Sequence, residues 1–221
     1  MANVDHLAYS GRVYCPPAFR EDRLPVLHGA IRAHPLATLV TSGSSGLIAN
    51  LVPFSLQVGA RGAVLRAHIA KANDQLSDLR QAPPTLVIFQ GPQAYVSPSW
   101  YATKHEHGRV VPTWNYIVVQ VRGQPVVIDD DQWLSAQLDE LTSEHEQGRA
   151  EPWSPSDAPA DFIAGQLKGI VGLEIAIEHI DGKWKASQNQ PMLNRIGVEQ
   201  GLRNDGADRM ADIVAATANK N

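Results

Sequence analysis

Apolar and polar residues alternate over several short stretches of the chain, as they do in half-buried β-strands. In the longest stretch, residues 171–187, Val171 and Leu173 point to one side while Glu174 and Glu178 point to the other. The predicted strands are 37–42, 47–58, 63–69, 85–91, 116–128 and 171–187. The first three follow one another without an intervening helix, which predicts an antiparallel meander.

Local signals mark where these strands bend or end. The sequence GSSG at 43–46 predicts a turn between the first two strands. Pro53 lies inside the second strand and places it at a sheet edge or a bulge, because proline cannot donate a ladder hydrogen bond. Asp181-Gly182 is a typical hairpin dipeptide and predicts a turn at that position.

Helical periodicity appears in a few segments that are scattered between the strands. The clearest is 129–147, where Leu134, Leu138 and Leu141 share one face and acidic residues gather at the N-terminus. Further helices are predicted at 22–34, at 71–79, from about Pro159 onward and at 207–220. Because helices do not separate the strands regularly, the pattern disfavours a doubly wound parallel sheet and predicts an antiparallel barrel, closed or partly closed.

Composition places the chain among ordinary globular proteins. Its 221 residues, 43% of them hydrophobic, suit a single domain over 1–221. The chain starts without a signal-peptide pattern and has no long apolar run, and its one cysteine, Cys15, fits a reducing cytoplasm. A net charge of -4 without a basic run argues against direct DNA binding.

One segment, 97–116, has neither helical nor strand periodicity and predicts a loop. It contains two tryptophans, two tyrosines, two histidines and two prolines, which is unusual for a solvated loop. His105 and His107 would share a face on a strand and could bind a metal, but no third ligand is recognisable nearby. A solvated pair of histidines is the favoured interpretation, and no metal site is predicted.

Two other segments carry candidate binding chemistry. In RAHIAKAN (66–73) a strand passes into a predicted helix start, where backbone N–H groups and Lys71 could hold a phosphate. In KWKASQNQP (183–191) Ser187, Gln188 and Asn189 offer neutral donors and acceptors for the edge of a heterocycle. The alternatives are an ordinary strand-to-helix corner and a polar turn before Pro191. No standard nucleophile-elbow, zinc-protease, dinucleotide or P-loop motif is present.

Taken in order, these pieces resemble one family, the PaiB-type proteins, which are known as FMN-binding negative transcriptional regulators. The likeness covers about residues 13 to 203. The stretches that carry it are VYCPPAF, HPLATLVT, GLIANLVPF, LRAHIAKAN, LVIFQGPQAYVSPSWY, HGRVVPTWNY, LTSEHE, IVGLEIAIEHIDGKWKASQNQP and GVEQGL. The blocks around PTWNY and GKWKASQN are long and specific.

This resemblance implies a fold, an assembly and a cofactor. The fold would be a mainly β, antiparallel split β-barrel of the pyridoxamine-phosphate oxidase and flavin-reductase type, forming a homodimer with FMN in a groove between subunits. The positions that match the FMN phosphate corner are His68, Ala70, Lys71 and Asn73. Two departures bear on that corner: Asn50 stands where the family usually has histidine, and Ala67-His68 replaces its Gly-His pair.

The same resemblance suggests how the remaining residues are used. Trp114, Asn115 and Tyr116 would shape the pocket of the flavin ring, and Ser187, Gln188 and Asn189 would bond its polar edge. Segment 97–116 would then be a connection at the barrel end, packed at the dimer interface.

Three functions follow from the resemblance. The first is a regulator of transcription that acts through its flavin or a partner protein. The alternative is a flavin-dependent reductase or oxidase of a small molecule, in which the flavin carries the chemistry. A third is a barrel without cofactor that serves as an interaction module.

Overall fold

The computed structural model describes residues 13–43, 46–60 and 62–218, which form two antiparallel sheets around a shared core. The larger sheet has six strands in the order β1-β10-β7-β6-β2-β3, and the smaller has four in the order β4-β5-β9-β8. The strands are β1 Arg20–Glu21, β2 Leu36–Gly43, β3 Gly46–Pro53, β4 Ser55–Gly59, β5 Gly62–Ala70, β6 Thr85–Val96, β7 Thr113–Gly123, β8 Pro125–Ile128, β9 Ile170–Ala176 and β10 His179–Lys185. The predicted turn at 43–46 includes residues 44 and 45, which lie outside the described residues.

Three predicted strands are each two strands in the structure. The chain leaves one sheet and enters the other at Phe54, at Gln124 and at residues 177–178. The predictions of single strands over 47–58, 116–128 and 171–187 are therefore wrong. Alternation continues on both sides of each crossing, so the sequence pattern does not reveal the bend. β3 is an edge strand of the larger sheet, which confirms the edge position, one of the two alternatives that Pro53 indicated.

The turn predicted at Asp181-Gly182 is also wrong. Both residues lie inside β10, where they pair with Gln120 and Val119 of β7. Close packing demands glycine at position 182, since a Cβ there would lie 2.7 Å from the backbone carbonyl oxygen of Glu21 and 2.3 Å from a methyl carbon of the buried Leu27. A close contact and a tight turn both demand glycine, and the sequence alone does not distinguish them.

The core lies between the inner faces of the two sheets. The larger sheet contributes Leu39, Val87, Phe89, Val119 and Val121, all at most 1% exposed. The smaller sheet contributes Leu65, Ala67, Leu173 and Ile175, which are completely buried. Every second residue of these strands points inward, as the alternating pattern predicts.

Seven helices surround the sheets within the described residues. They are α1 Leu24–Ala33, α2 Gln75–Leu79, α3 Thr103–His107, α4 Asp131–Glu146, α5 Ala160–Leu167, α6 Met192–Asn204 and α7 Asp208–Ala218. α4 confirms the prediction for 129–147, whereas α2 starts at Gln75 rather than at residue 71. None of these helices is both long and apolar enough to cross a membrane.

Helix α6 was not predicted, because its buried face is only partly apolar. Besides Val198 and Leu202 this face buries Asn194 and Arg195, which interrupt the hydrophobic period. With α7 it packs against the ends of the strands of the larger sheet and forms a second apolar cluster. This cluster closes the end of the molecule at which β7 begins and β10 ends.

We expect Gly123→Ala to destabilise the fold, because a Cβ at this sheet crossing would lie 2.0 Å from the carbonyl oxygen of Ala176. Overpacking against backbone lowers the free energy of unfolding by about 1–3 kcal/mol, which chemical denaturation can measure. Gly29→Ala is the matched control, since nothing lies within 4 Å of its added Cβ on α1. That variant should gain about 0.5–1 kcal/mol from helix propensity. Equal stability of the two variants would contradict the close approach of Gly123 to the Ala176 carbonyl at this crossing.

Candidate functional site

The predicted phosphate corner forms where β5 ends. Asn73 follows the turn, and its Oδ1 accepts a hydrogen bond of 3.0 Å from the backbone N–H of Gln75, the first residue of the short helix α2. Asn50 on β3 joins this corner by donating from Nδ2 to Gln75 Oε1 at 3.0 Å. Lys71 is held by its backbone N–H, which donates to the Gly169 carbonyl at 2.8 Å.

Lys71 presents its ammonium group to solvent at this corner. It is exposed, and among the described residues its side chain makes no hydrogen bond or ion pair. The prediction that Lys71 stands at a helix start is wrong, because α2 begins four residues later and has only five residues. An anion here would therefore meet a lysine and turn amides rather than a helix dipole.

His68 and Ala70 occupy the outer face of the smaller sheet. His68 Nδ1 lies 2.9 Å from Oε1 of Gln137 on α4, within hydrogen-bond distance. Ala70 is exposed at the strand end, beside Lys71. The structure thus groups Ala70, Lys71 and Asn73 at the corner and turns the His68 ring toward α4.

A separate pocket of about 370 Å³ contains three of the other predicted residues, Asn115, Ser187 and Asn189. Asn115 and Ser187 are 1% and 4% exposed, and Asn115 Nδ2 donates to Ser187 Oγ at 2.9 Å. Ser187 has a φ of 59°, in the left-handed region that residues with a side chain seldom adopt. This bond anchors the turn after β10 to strand β7.

Basic residues that the sequence did not assign to a ligand site of this kind complete the pocket. Lys185, the last residue of β10, donates from Nζ to the Thr113 hydroxyl and, at 2.8 Å, to the Trp114 carbonyl. Burial lowers the pKa of Lys185 from its ordinary value. His107 and Arg109 lie at the exposed rim, where the Arg109 backbone N–H donates to His107 Nδ1 at 3.0 Å.

Of these three residues only Lys185 lies in a segment that the sequence linked to this site, since it precedes Ser187 by two residues. Arg109 and His107 lie about 80 positions away along the chain, and only folding brings them to the pocket. Gln188, although predicted, does not line the pocket. Its Oε1 accepts from the Ala186 N–H and its Nε2 donates to the Trp184 carbonyl, so its amide is engaged within its own turn.

The three predicted ring residues do not share one face. Along β7 Asn115 points inward, whereas Trp114 and Tyr116 point to the outer face of the larger sheet. There Trp114 forms an edge-to-face pair with Tyr95 of β6, with ring centroids 6.1 Å apart. Beside them runs an open groove of about 470 Å³, lined by aromatic, aliphatic and glutamine side chains of β6 and β7.

The corner and the pocket lie at opposite ends of the larger sheet. One row of paired residues crosses the sheet from Asn50 through Leu39 and Val87 to Val121 on β7. Along β7 the distance from Val121 to Asn115 is six residues, or roughly 20 Å. Across the sheet, β3 and β10 are separated by four strand spacings, again roughly 20 Å measured along the sheet. One chain therefore does not bring the two groups of predicted residues together.

Segment 97–116 is an ordered connection rather than an irregular loop. It contains a 3-10 turn at Pro98–Trp100, helix α3 and the first residues of β7. His105 and His107 lie two residues apart on α3 and so point in different directions, not to the shared face of a strand. Within the described residues no group of three or more His, Cys, Asp or Glu side chains could hold a metal ion.

Comparison with solved structures defines the class of protein. The fold is similar to the FAD and haem binding protein from Mycobacterium smegmatis, with a TM-score of 0.56 and 20% identity over 75% of this chain and 73% of that one. The flavocytochrome Anf3 from Azotobacter vinelandii gives a TM-score of 0.57 and 13% identity over 75% and 69% of the two chains. The fold is thus a mainly β split barrel, as the sequence predicts.

Comparison of sequences defines the family. Residues 13–179 match the family model described as "Putative FMN-binding domain", and the chain belongs to that family. An uncharacterized protein of Emericella nidulans is 32% identical, with 89% of this chain and 92% of the relative covered. Protease synthase and sporulation protein PAI 2 of Bacillus subtilis is 28% identical over 91% and 96% of the two chains. These matches confirm the resemblance to the PaiB-type family.

We expect Ser187→Ala to lower the free energy of unfolding by about 1–3 kcal/mol, because it leaves the buried Asn115 amide without its partner. Alanine keeps the left-handed backbone, so the loss reports the hydroxyl. Chemical denaturation measures it, with the exposed Ser143→Ala on α4 as a control that should change stability by less than about 0.5 kcal/mol. An unchanged Ser187→Ala would show that the bond contributes nothing.

Proposed function

We propose that two copies of this chain bind FMN between them, each site combining the corner of one copy with the outer sheet face of the other. The observation that carries the proposal is the separation of the corner from the ring residues on β7, roughly 20 Å along the strands and roughly 15 Å across the sheet. A single flavin mononucleotide does not span that diagonal within one chain. A second copy supplies the missing half.

The outer face of the larger sheet has the character of an interface. Leu47 and Leu51 of β3 are 79% and 66% exposed, and Trp114 and Tyr95 are 51% and 46% exposed. Large apolar and aromatic side chains clustered on one face typically mark a protein–protein or ligand contact. A partner that covers this face removes these side chains from water and encloses the groove beside Trp114.

The corner fits a phosphate group. Lys71 offers an ammonium group that no described carboxylate neutralises, and it acts as a point charge on a dianion. The Asn73 side chain keeps its Nδ2 amino group as a donor, because only its Oδ1 takes part in its hydrogen bonds. His68 and Ala70 are the remaining contacts that the resemblance implies.

The aromatic groove fits a flavin ring. Trp114 and Tyr116 present flat faces for stacking, and the exposed Asn189 offers an amide at the nearby pocket for the polar edge of the ring. Bound there, FMN would supply one- and two-electron chemistry that no side chain provides. The chain's own residues would bind the phosphate, orient the ring and exclude water.

We infer a regulatory role that is exerted through the flavin or a partner protein. The Bacillus subtilis relative is named for protease synthesis and sporulation, which supports a role in controlling expression. The net charge of -4 does not favour the non-specific attraction to phosphates on which direct DNA binding depends. The alternative, a flavin-dependent reductase or oxidase, is supported by the pocket that adjoins the aromatic face.

A flavin titration tests the cofactor site. We expect FMN fluorescence to be quenched by the chain, and Lys71→Glu to weaken affinity by about 10- to 100-fold through loss of a charge-assisted hydrogen bond. Arg149→Glu is the control, since it makes the same change of charge in an exposed turn after α4. Unchanged affinity in Lys71→Glu would overturn the phosphate assignment, and a strict monomer in light scattering would contradict the shared site.

A second measurement separates the two roles. Anaerobic mixing of the FMN-loaded protein with NADH or NADPH should leave the flavin absorbance unchanged on the timescale of turnover if the protein is a regulator. Rapid bleaching, followed by reoxidation with an added acceptor, would instead establish the reductase. A gel-shift that falls steeply with salt would contradict the inference of indirect control.

A further inference from the structure

The pocket between segment 101–113 and the turn after β10 has an unbalanced electrostatic character. Lys185, His107 and Arg109 all line it, and none of its fifteen described lining residues is Asp or Glu. The other polar groups in the wall are neutral hydroxyls and amides. The pocket lining therefore attracts a negatively charged ligand, and its described residues include no carboxylate that would repel one.

Lys185 shows this imbalance most clearly. Lys185 is half-buried at the end of the larger sheet, and the hydrogen-bond partners of its Nζ are a hydroxyl and a backbone carbonyl, both uncharged. Among the described residues no carboxylate lies within 4.0 Å of it. A charge taken out of water without a counter-charge costs free energy, which is why burial lowers its pKa. An incoming anion would offset that cost.

The floor and the far wall of this pocket suit the uncharged part of a small organic molecule. Ser187 and Asn115 are fixed by their mutual hydrogen bond, so they present a rigid polar floor. Tyr101, Val110 and Val111 provide apolar surface opposite. Helix α6 begins at this pocket without a side-chain cap, and its positive end adds to the field of the lysine.

We propose that this pocket is a second ligand site, which adjoins that of FMN at Asn189 and binds a small organic molecule through one carboxylate or phosphate group held by Lys185. About 370 Å³ admits a molecule the size of a simple metabolite but not a dinucleotide. Lys185 binds the oxyanion, Arg109 attracts it at the rim, and the apolar wall takes the rest of the molecule.

The pocket adjoins the aromatic face, because Lys185 pairs with Tyr116 across β10 and β7. The ligand would therefore lie beside the flavin ring, as the substrate or effector of a flavin protein. Only this placement rests on the function proposed above. The anion site itself depends on the pocket residues alone.

A pair of isosteric probes tests the site. We expect benzoate to bind the full-length chain at least about 10-fold more tightly than benzamide, which has the same shape without the charge. Titration calorimetry is carried out with and without saturating FMN, and binding should persist in both conditions. Lys185→Met should abolish the preference for benzoate, whereas Lys71→Met should retain it. Arg109→Gln, at the exposed rim, should reduce the preference partly and provides a test should Lys185→Met fail to fold.

The outcomes that overturn the proposal are distinct from those that overturn the FMN site. Equal binding of benzamide and benzoate, or a preference that survives in both Lys185→Met and Arg109→Gln, would overturn it. Displacement of benzoate by FMN would show that the pocket belongs to the flavin. We also expect inorganic phosphate to bind this pocket, with an affinity that falls in Lys185→Met. If its affinity falls only in Lys71→Met, phosphate binds at the corner and the pocket does not take a phosphate group. Benzoate binding in a chain that does not bind FMN would support this site and overturn only the cofactor proposal.

Discussion

The site depends on the two-residue alternation of one central strand, β7. Its inward side chains include Val119 and Val121 of the core and then Asn115, which forms the floor of the basic pocket. Its outward side chains include Trp114 and Tyr116, which lie on the aromatic groove. A one-residue slip of register would exchange these sets, so the same pairing with β6 and β10 that stabilises the sheet also fixes which chemistry appears on each side.

The second constraint is the passage of the chain between sheets. At Phe54, Gln124 and residues 177–178 the backbone leaves one sheet for the other, and Gly123 permits the close approach that one of these crossings requires. The crossings place the phosphate corner, at the end of β5, and the basic pocket, at the end of β10, far apart within one chain. The proposed FMN site is for this reason shared between two copies, and the exposed leucines of β3 with the exposed aromatics of β6 and β7 are the surface proposed for their contact.

Electrostatics divides the two binding regions further. Lys71 is exposed and free to meet a phosphate at the surface, whereas Lys185 is drawn into the wall of a pocket without acidic groups among its described lining residues. The exposed Lys71 suits a cofactor that is recognised by its phosphate end, and Lys185 suits a small anion held in a half-open pocket. Both lysines belong to an acidic chain with a net charge of -4, so they act locally and do not form a basic surface.

The sequence by itself determined the antiparallel β class, the inward and outward residues of most strands, the edge position of β3 and the family, because alternation and long specific motifs are local properties. It did not reveal the sheet crossings, since alternation continues through them, nor α6, whose buried face contains Asn194 and Arg195. It also mistook Gly182 for a turn residue, when packing against Leu27 requires it. Only the tertiary structure separated Trp114 from Asn115 and brought His107 and Arg109 to Lys185, because contacts between residues some 80 positions apart depend on the path of the whole chain.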